Sequence, residues 1–191
     1  MKICVYGASS DAIDKEFIRT GETLGRSMAE RGHELIFGGG AHGMMGAVAR
    51  GMTEKGGRII GVAPSFFHVD GVLYEQCDEF IYTETMRERK QLMEERADAF
   101  VMSPGGIGTL EEFFEILTLK QLGRHAKPIA VLNTDRYYDA ITDLLQNAVE
   151  RKFMTAASMA LFGVFEDVGA LLDYLENDGG ETVDMMKMKY Y

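Results

Sequence analysis

Asp98-Ala-Phe-Val-Met-Ser-Pro-Gly-Gly-Ile-Gly-Thr-Leu-Glu-Glu112 is the stretch that decides the fold. Its first half, through Ser103, reads as a short buried strand. From Phe113 to Gly123 an apolar helical stripe ends on a glycine suited to a C-cap. Between them Pro104-Gly105-Gly106-Ile107-Gly108 makes a glycine turn that opens straight into the helix. Such a turn lets backbone N–H groups, with the positive end of the helix dipole, hold an anion without a metal. Thr109 adds a hydroxyl, and Glu112 follows one turn into the helix. No Gly-Lys-Ser/Thr follows, as a P-loop requires, and Gly106-x-Gly108 lacks the third glycine of a dinucleotide turn. The pairing of an anion cradle with a carboxylate suggests chemistry on a phosphorylated molecule.

The same alternation runs along the chain. Apolar runs recur at Lys2–Tyr6, Glu34–Phe37, Arg58–Ala63, Phe80–Thr83, Ala99–Met102, Ile129–Leu132 and Phe162–Phe165. Most do not alternate in polarity, as expected of strands buried on both faces. Amphipathic helical stretches lie between them at Ile13–Arg31, Met44–Lys55, Met86–Arg96, Thr109–Leu122 and Tyr137–Arg151. The pattern predicts one Rossmann-like, doubly wound α/β domain over residues 1–176, a parallel sheet with helices on both faces. Ligands of such sheets bind beyond the carboxyl ends of the strands. The glycine turns at 7, 38–40 and 105–108 all follow strands and are expected to form one site. Residues 177–191 lose the helical pattern and read as a tail, disordered or packed on a partner.

Composition sets the class. With 191 residues and 46% hydrophobic content the chain suffices for one well-buried domain. A net charge of -10 argues against a general nucleic-acid surface, so phosphate must be bound locally. Two cysteines, Cys4 and Cys77, are too few for a disulfide framework and suit a reducing cytoplasm. The apolar run after Lys2 is too short for a signal peptide, and no stretch reaches the ~20 apolar residues of a membrane span. His33, His42, His68 and His125 show no metal-ligand spacing, so neither a metal nor another cofactor is expected.

Pro-Gly-Gly-x-Gly-Thr-x-x-Glu at 104–112 resembles the signature of the LOG family, the cytokinin riboside 5'-monophosphate phosphoribohydrolases. Met86-Arg-Glu-Arg-Lys90 resembles the family's Met-His-x-Arg-Lys, with Arg87 in place of histidine. Gly38-Gly-Gly-Ala-His-Gly-Met-Met-Gly46 resembles its Gly-Gly-Gly-x-x-Gly-Leu-Met-Gly turn, with Met44 in place of leucine, and Gly7-Ala-Ser-Ser10 corresponds to its first-strand turn. The resemblance implies hydrolysis of the N-glycosidic bond of a nucleoside 5'-monophosphate, such as isopentenyladenosine monophosphate or AMP, to free base and ribose 5-phosphate. It makes Arg89 and Glu112 catalytic. Gly7, Ser9, Ser10, Gly39, Gly40, Gly43, Met86, Lys90, Gly105, Gly106, Gly108 and Thr109 become the substrate-binding set. It also implies a homodimer. The label lysine decarboxylase, often given to the family, finds no pyridoxal-phosphate lysine context here.

The residues themselves leave plainer readings open. Gly38-x-Gly40-x-x-Gly43 serves equally for close helix packing, without the acidic residue that would hold a ribose. Ser9 and Ser10 suit N-caps. Arg89 and Lys90, at i+3 and i+4 from Met86, place two cations on a largely apolar face, where ion pairing or snorkelling would satisfy them. Thr109-x-x-Glu112 is also a capping box, with Glu111 as an alternative acid at the helix start. Phe113, Phe114 and Leu117 are core or dimer interface. The alternative function is a nucleotide- or molybdenum-cofactor-binding protein of the same fold without hydrolytic activity.

Overall fold

The computed structural model describes residues 1–178; the rest of the expected tail, 179–191, lies outside the described residues. Seven strands form one all-parallel sheet: β1 (Lys2–Tyr6), β2 (Glu34–Phe37), β3 (Ile59–Pro64), β4 (Glu79–Thr83), β5 (Ala99–Met102), β6 (Ile129–Leu132) and β7 (Gly163–Phe165). Their order is β4-β3-β2-β1-β5-β6-β7. The chain winds outward from the centre, returns, and winds out the other way, so the order reverses between β1 and β5. In register, Cys4 of β1 lies between Ile36 of β2 and Phe100 of β5. Ligand crevices of open α/β sheets form at this reversal.

Among the described residues six α-helices cover the sheet: α1 (Lys15–Glu30), α2 (Gly43–Glu54), α3 (Met86–Arg96), α4 (Ile107–Gln121), α5 (Asp139–Glu150) and α6 (Val168–Asn177). Alternate residues of each inner strand enter different cores. Ile3 and Val5 pack with α1, α2 and α6, whereas Cys4 and Tyr6 pack with α3 and α4. Both faces are therefore apolar, which explains the continuous apolar runs in the sequence. None of the helices among the described residues is long and apolar enough to cross a membrane.

The contact between α1 and α2 is unusually close because glycines line it. A Cβ on Gly51 would lie 2.1 Å from the Glu22 carbonyl, and one on Gly25 2.1 Å from the Val48 carbonyl. Alanine normally favours a helix over glycine by about 0.5–1 kcal/mol. Here the obstruction is backbone on both sides and cannot rotate away, so overpacking wins. Gly51→Ala should lower stability by about 2–3 kcal/mol in urea unfolding; an unchanged midpoint would refute the close packing.

Five of the six connections between consecutive strands pass through an α-helix, as expected. The link from β3 to β4 does not. It holds a single 3-10 turn, Ser65–Phe67, and otherwise runs as irregular chain to Asp78.

Candidate active site

The glycine turn after β5 is braced from beneath. The Ser103 N–H and hydroxyl both donate to the Tyr6 carbonyl, at 2.9 and 2.7 Å, and the Ala8 N–H donates to the Pro104 carbonyl at 3.1 Å. The Tyr138 hydroxyl donates to the Ser103 carbonyl at 2.8 Å, and the Tyr137 hydroxyl to the Gly105 carbonyl at 3.1 Å. An irregular turn delivers these tyrosines. Asp135 and Arg136 are left-handed, at φ 50° and 58°, a costly backbone that surrounding contacts must enforce. Asn133 supplies such contacts: its side-chain oxygen accepts the Tyr138 N–H at 2.7 Å and its amide donates to Asp139 at 2.9 Å. The turns after β1 and β5 are thus tied into one floor.

Above that floor α4 begins at Ile107, with Gly106 as its N-cap. The N–H groups of a first helical turn have no carbonyl partner within the helix, and the dipole there is positive. The first turn of α4 thus has the geometry that the cradle reading requires. The capping-box reading of Thr109 and Glu112 does not hold: the helix starts two residues earlier, so both lie inside it, and Glu112 faces α3. The capping box of this region belongs instead to α3, where Thr85 and Glu88 satisfy each other's backbone N–H groups.

That cap fixes the start of α3 and hence Arg89. The Arg89 guanidinium donates to the Val62 carbonyl at 3.2 Å through Nε and to Glu112 Oε1 at 2.7 Å through Nη1. Gly38 makes room for it, since a Cβ there would meet the guanidinium at 2.1 Å. Arg89 is 7% exposed and Glu112 9%. Burial pushes the Glu112 carboxyl above the ordinary glutamate range, opposed by the Arg89 charge. A planar fork with two fixed acceptors holds the carboxylate in one orientation inside a largely dry wall.

The irregular β3–β4 crossover closes the other side. The Tyr74 N–H donates to the Gly39 carbonyl at 2.8 Å and the Ala41 N–H to the Val72 carbonyl at 3.0 Å. Gly40 and Leu73 form an isolated antiparallel bridge. The crossover is thereby pinned over the turn after β2.

A cavity of about 620 Å³ lies between these parts. Gly7, Ser9, Ser10, Gly40, Met86, Arg89, Gly106, Gly108, Thr109 and Glu112 line it, so the structure brings most of the expected site residues together. Gly39, Gly43 and Gly105 lie behind its surface. Gly39 backs onto the Phe80 ring, Gly43 approaches the Ala8 carbonyl and Ser10, and Gly105 leaves space for Thr109. Lys90 is turned away: its amino group pairs with Glu111 and, at 2.8 Å, with Glu115. It lines a separate cavity of about 260 Å³ between α3 and α4, which Glu112 also reaches. The ion-pair reading of that cation holds.

A family profile described as "Possible lysine decarboxylase" matches residues 45–175. A probable cytokinin riboside 5'-monophosphate phosphoribohydrolase of Oryza sativa subsp. japonica is 38% identical over 173 residues, covering 91% of this chain and 75% of that protein. The chain belongs to the LOG family. A LOG relative of Arabidopsis thaliana, named cytokinin riboside 5'-monophosphate phosphoribohydrolase, is 33% identical across 92% of this chain and 82% of its own. The fold is shared more widely. A Moco Carrier Protein from Chlamydomonas reinhardtii superposes with a TM-score of 0.68 at 25% identity, over 92% of this chain and 94% of that one. The decarboxylase label of the LOG profile does not fit the cavity. Among the described residues lining it there is no lysine amine to join pyridoxal phosphate, and no group of three His, Cys, Asp or Glu disposed to hold a metal.

The LOG signatures do not point to several residues that shape this site. Asp11, His42, Tyr137 and Tyr138 act through loop contacts distant in sequence, and Phe67, Val72 and Leu73 join Met45 of the 38–46 signature turn in an apolar wall of the cavity. The one available signal was Asn133, a residue suited to irregular turns, just after a strand.

Proposed function

We propose that this chain hydrolyses the N-glycosidic bond of a cytokinin-type nucleoside 5'-monophosphate, releasing free base and ribose 5-phosphate. The observation that carries the reading is the buried Arg89–Glu112 pair beside the first turn of α4, inside one cavity. The 5'-phosphate sits on the N–H groups of Gly106, Gly108 and Thr109, with Gly105 shaping the turn. Ser9, Ser10 and the 38–43 turn flank the ribose. Remote binding energy of this kind places the C1'–N9 bond against the carboxylate.

As that bond breaks, its electron pair leaves with the base and positive charge builds on the ribose. The Glu112 carboxylate stabilises that charge and orients the water whose oxygen bonds to C1'. The proton released by the water balances the departing base anion. Arg89 stays charged and cannot be an ordinary general acid; it holds the carboxylate and adds a positive field near the phosphate. Lys90 acts at one remove, by fixing Glu111 and Glu115 on α4.

The apolar wall of Met45, Phe67, Val72, Leu73 and Met86 suits a base with an apolar substituent better than plain adenine. A homodimer belongs to the same reading. It is supported by Leu122, Leu144 and Phe153, which are exposed on or beside α4 and α5, and elution at the mass of one chain in gel filtration would refute it. Two unpaired cysteines suit a cytoplasmic setting and the acidic chain has no use for nucleic acid.

The test is chromatography of free base after incubation with isopentenyladenosine 5'-monophosphate, AMP and adenosine. Release from both nucleotides, faster from the prenylated one, and little from adenosine is expected. Equal rates on AMP and adenosine would sink the phosphate cradle. The likeness to a Moco Carrier Protein keeps a second reading, a binder without turnover: no release with binding intact by calorimetry would favour it. A pure binder has no evident need for a buried arginine–glutamate pair.

A further inference from the structure

At the rim of the cavity one side chain fastens three segments. His42, the N-cap residue of α2, has Nδ1 2.5 Å from Asp11 Oδ2 and Nε2 2.9 Å from the Gly71 carbonyl. The other Asp11 oxygen accepts the Gly43 N–H at 2.8 Å. The β1–α1 loop, the start of α2 and the β3–β4 crossover therefore meet on one imidazole. The backbone attachment of the crossover, through Tyr74, Leu73 and Val72, stops one residue short of Gly71. The His42 ring continues it toward Phe67, which lines the cavity.

Both ring nitrogens face acceptors, a carboxylate and a carbonyl. Only the imidazolium can donate to both; a neutral ring has one N–H and must turn a lone pair on the other acceptor. We propose that His42 is a positioning residue, a pH-sensitive latch that holds the 65–78 crossover closed over the cavity and so sets how firmly the site grips its ligand.

The groups around the ring favour the charged form. The Gly71 carbonyl and then Asp11 raise the His42 pKa above the ordinary 6.5, and Arg50 of α2 opposes them weakly. The Gly43 N–H, and then His42, lower that of Asp11, so the carboxylate persists well into acid. Arg50 is itself engaged by Glu22 of α1. On the crossover, Asp70 precedes Gly71, and His68 stacks on Tyr82 of β4. A raised histidine pKa means the latch is complete below 6.5 and is lost as pH rises through the raised value.

The effect on catalysis rests on the nucleotide reading of the cavity; the latch itself does not. The first experiment is therefore hydrogen exchange of the ligand-free full chain at about pH 6 and about pH 9, corrected for intrinsic rates, with nuclear magnetic resonance of the His42 ring. In the wild type, peptides spanning 66–72 should exchange about fivefold or more faster at the higher pH, as the ring loses its second proton. His42→Gln should show the faster exchange at both values. Equal protection at both pH values in the wild type, or a His42→Gln variant as protected as the wild type, would overturn the latch. Steady-state base release from AMP follows. The wild-type KM should rise with pH about threefold more than that of His42→Gln, with kcat much less affected. Matching profiles would remove the positioning role. A latch seen by exchange with no base release from any nucleotide would sink the hydrolase reading and leave the latch standing.

Discussion

Glu112→Gln should lower the turnover number for base release by about 10³-fold while nucleotide affinity changes by less than about threefold. Glutamine keeps the size of the side chain and an oxygen for Arg89, so the wall of the cavity is preserved. What disappears is the negative charge facing the ribose. That charge matters little in the ground state, where the sugar is neutral, and greatly as the C1'–N9 bond opens. Because Glu112 is only 9% exposed, the interaction is also poorly screened. The wild type carries a further signature. Because burial raises the Glu112 pKa above 4.5, kcat/KM should fall on acidification through that raised value, earlier than an exposed glutamate would dictate. The glutamine variant should lack this acid limb. Stopped-time chromatography across pH, with calorimetry for binding, measures all three effects. A variant that retains a tenth or more of wild-type turnover would remove Glu112 from the chemistry.

Arg89→Met should lower activity by at least about 10²-fold and should also destabilise the fold by about 3–5 kcal/mol in urea unfolding. The guanidinium satisfies both the Val62 carbonyl and Glu112 from a position 7% exposed. Without it the carboxylate is buried with no countercharge 2.7 Å away. It then takes up a proton or draws in water, and either outcome costs catalysis. A double variant, Arg89→Met with Glu112→Gln, separates the two losses. With both charges removed, most of the stability should return and none of the activity. If the double variant were no more stable than Arg89→Met alone, the pair would not be the source of the destabilisation.

Strands buried on both faces were legible because they leave uninterrupted apolar runs; Lys2–Tyr6, Ala99–Met102 and Ile129–Leu132 need no correction at all. Helix α3 was equally plain at Met86–Arg96. Helix α4 starts two residues before the expected Thr109, because glycine and proline read as turn formers whereas Ile107 and Gly108 are already helical. Arg89 and Glu112 could be singled out, but their meeting depends on α3 and α4 flanking the same strand edge, which spacing along the chain does not encode. Lys90 shows the limit most sharply. It neighbours Arg89 in sequence, yet a step of about 100° around a helix directs it to Glu111 and Glu115 and away from the larger cavity. Asp11, His42, Tyr137 and Tyr138 stayed silent because loop-to-loop contacts have no periodicity.

The missing helix between β3 and β4 divides the molecule into parts that can change at different rates. The buried Arg89–Glu112 pair stands on α3 and α4, which share one core against the sheet, so a substitution there disturbs helix packing and the pair together. The crossover from Ser65 to Asp78 covers the same cavity; its C-terminal part is anchored through Tyr74 and Asp78, whereas the stretch from Ser65 to Val72 is fastened to the site by the Val72 carbonyl and one imidazole. Its length and side chains are free to drift without moving the glutamate. In an evolving lineage, or in a directed library, the range of accepted bases should therefore diversify through this segment first, with the hydrolytic step inherited intact.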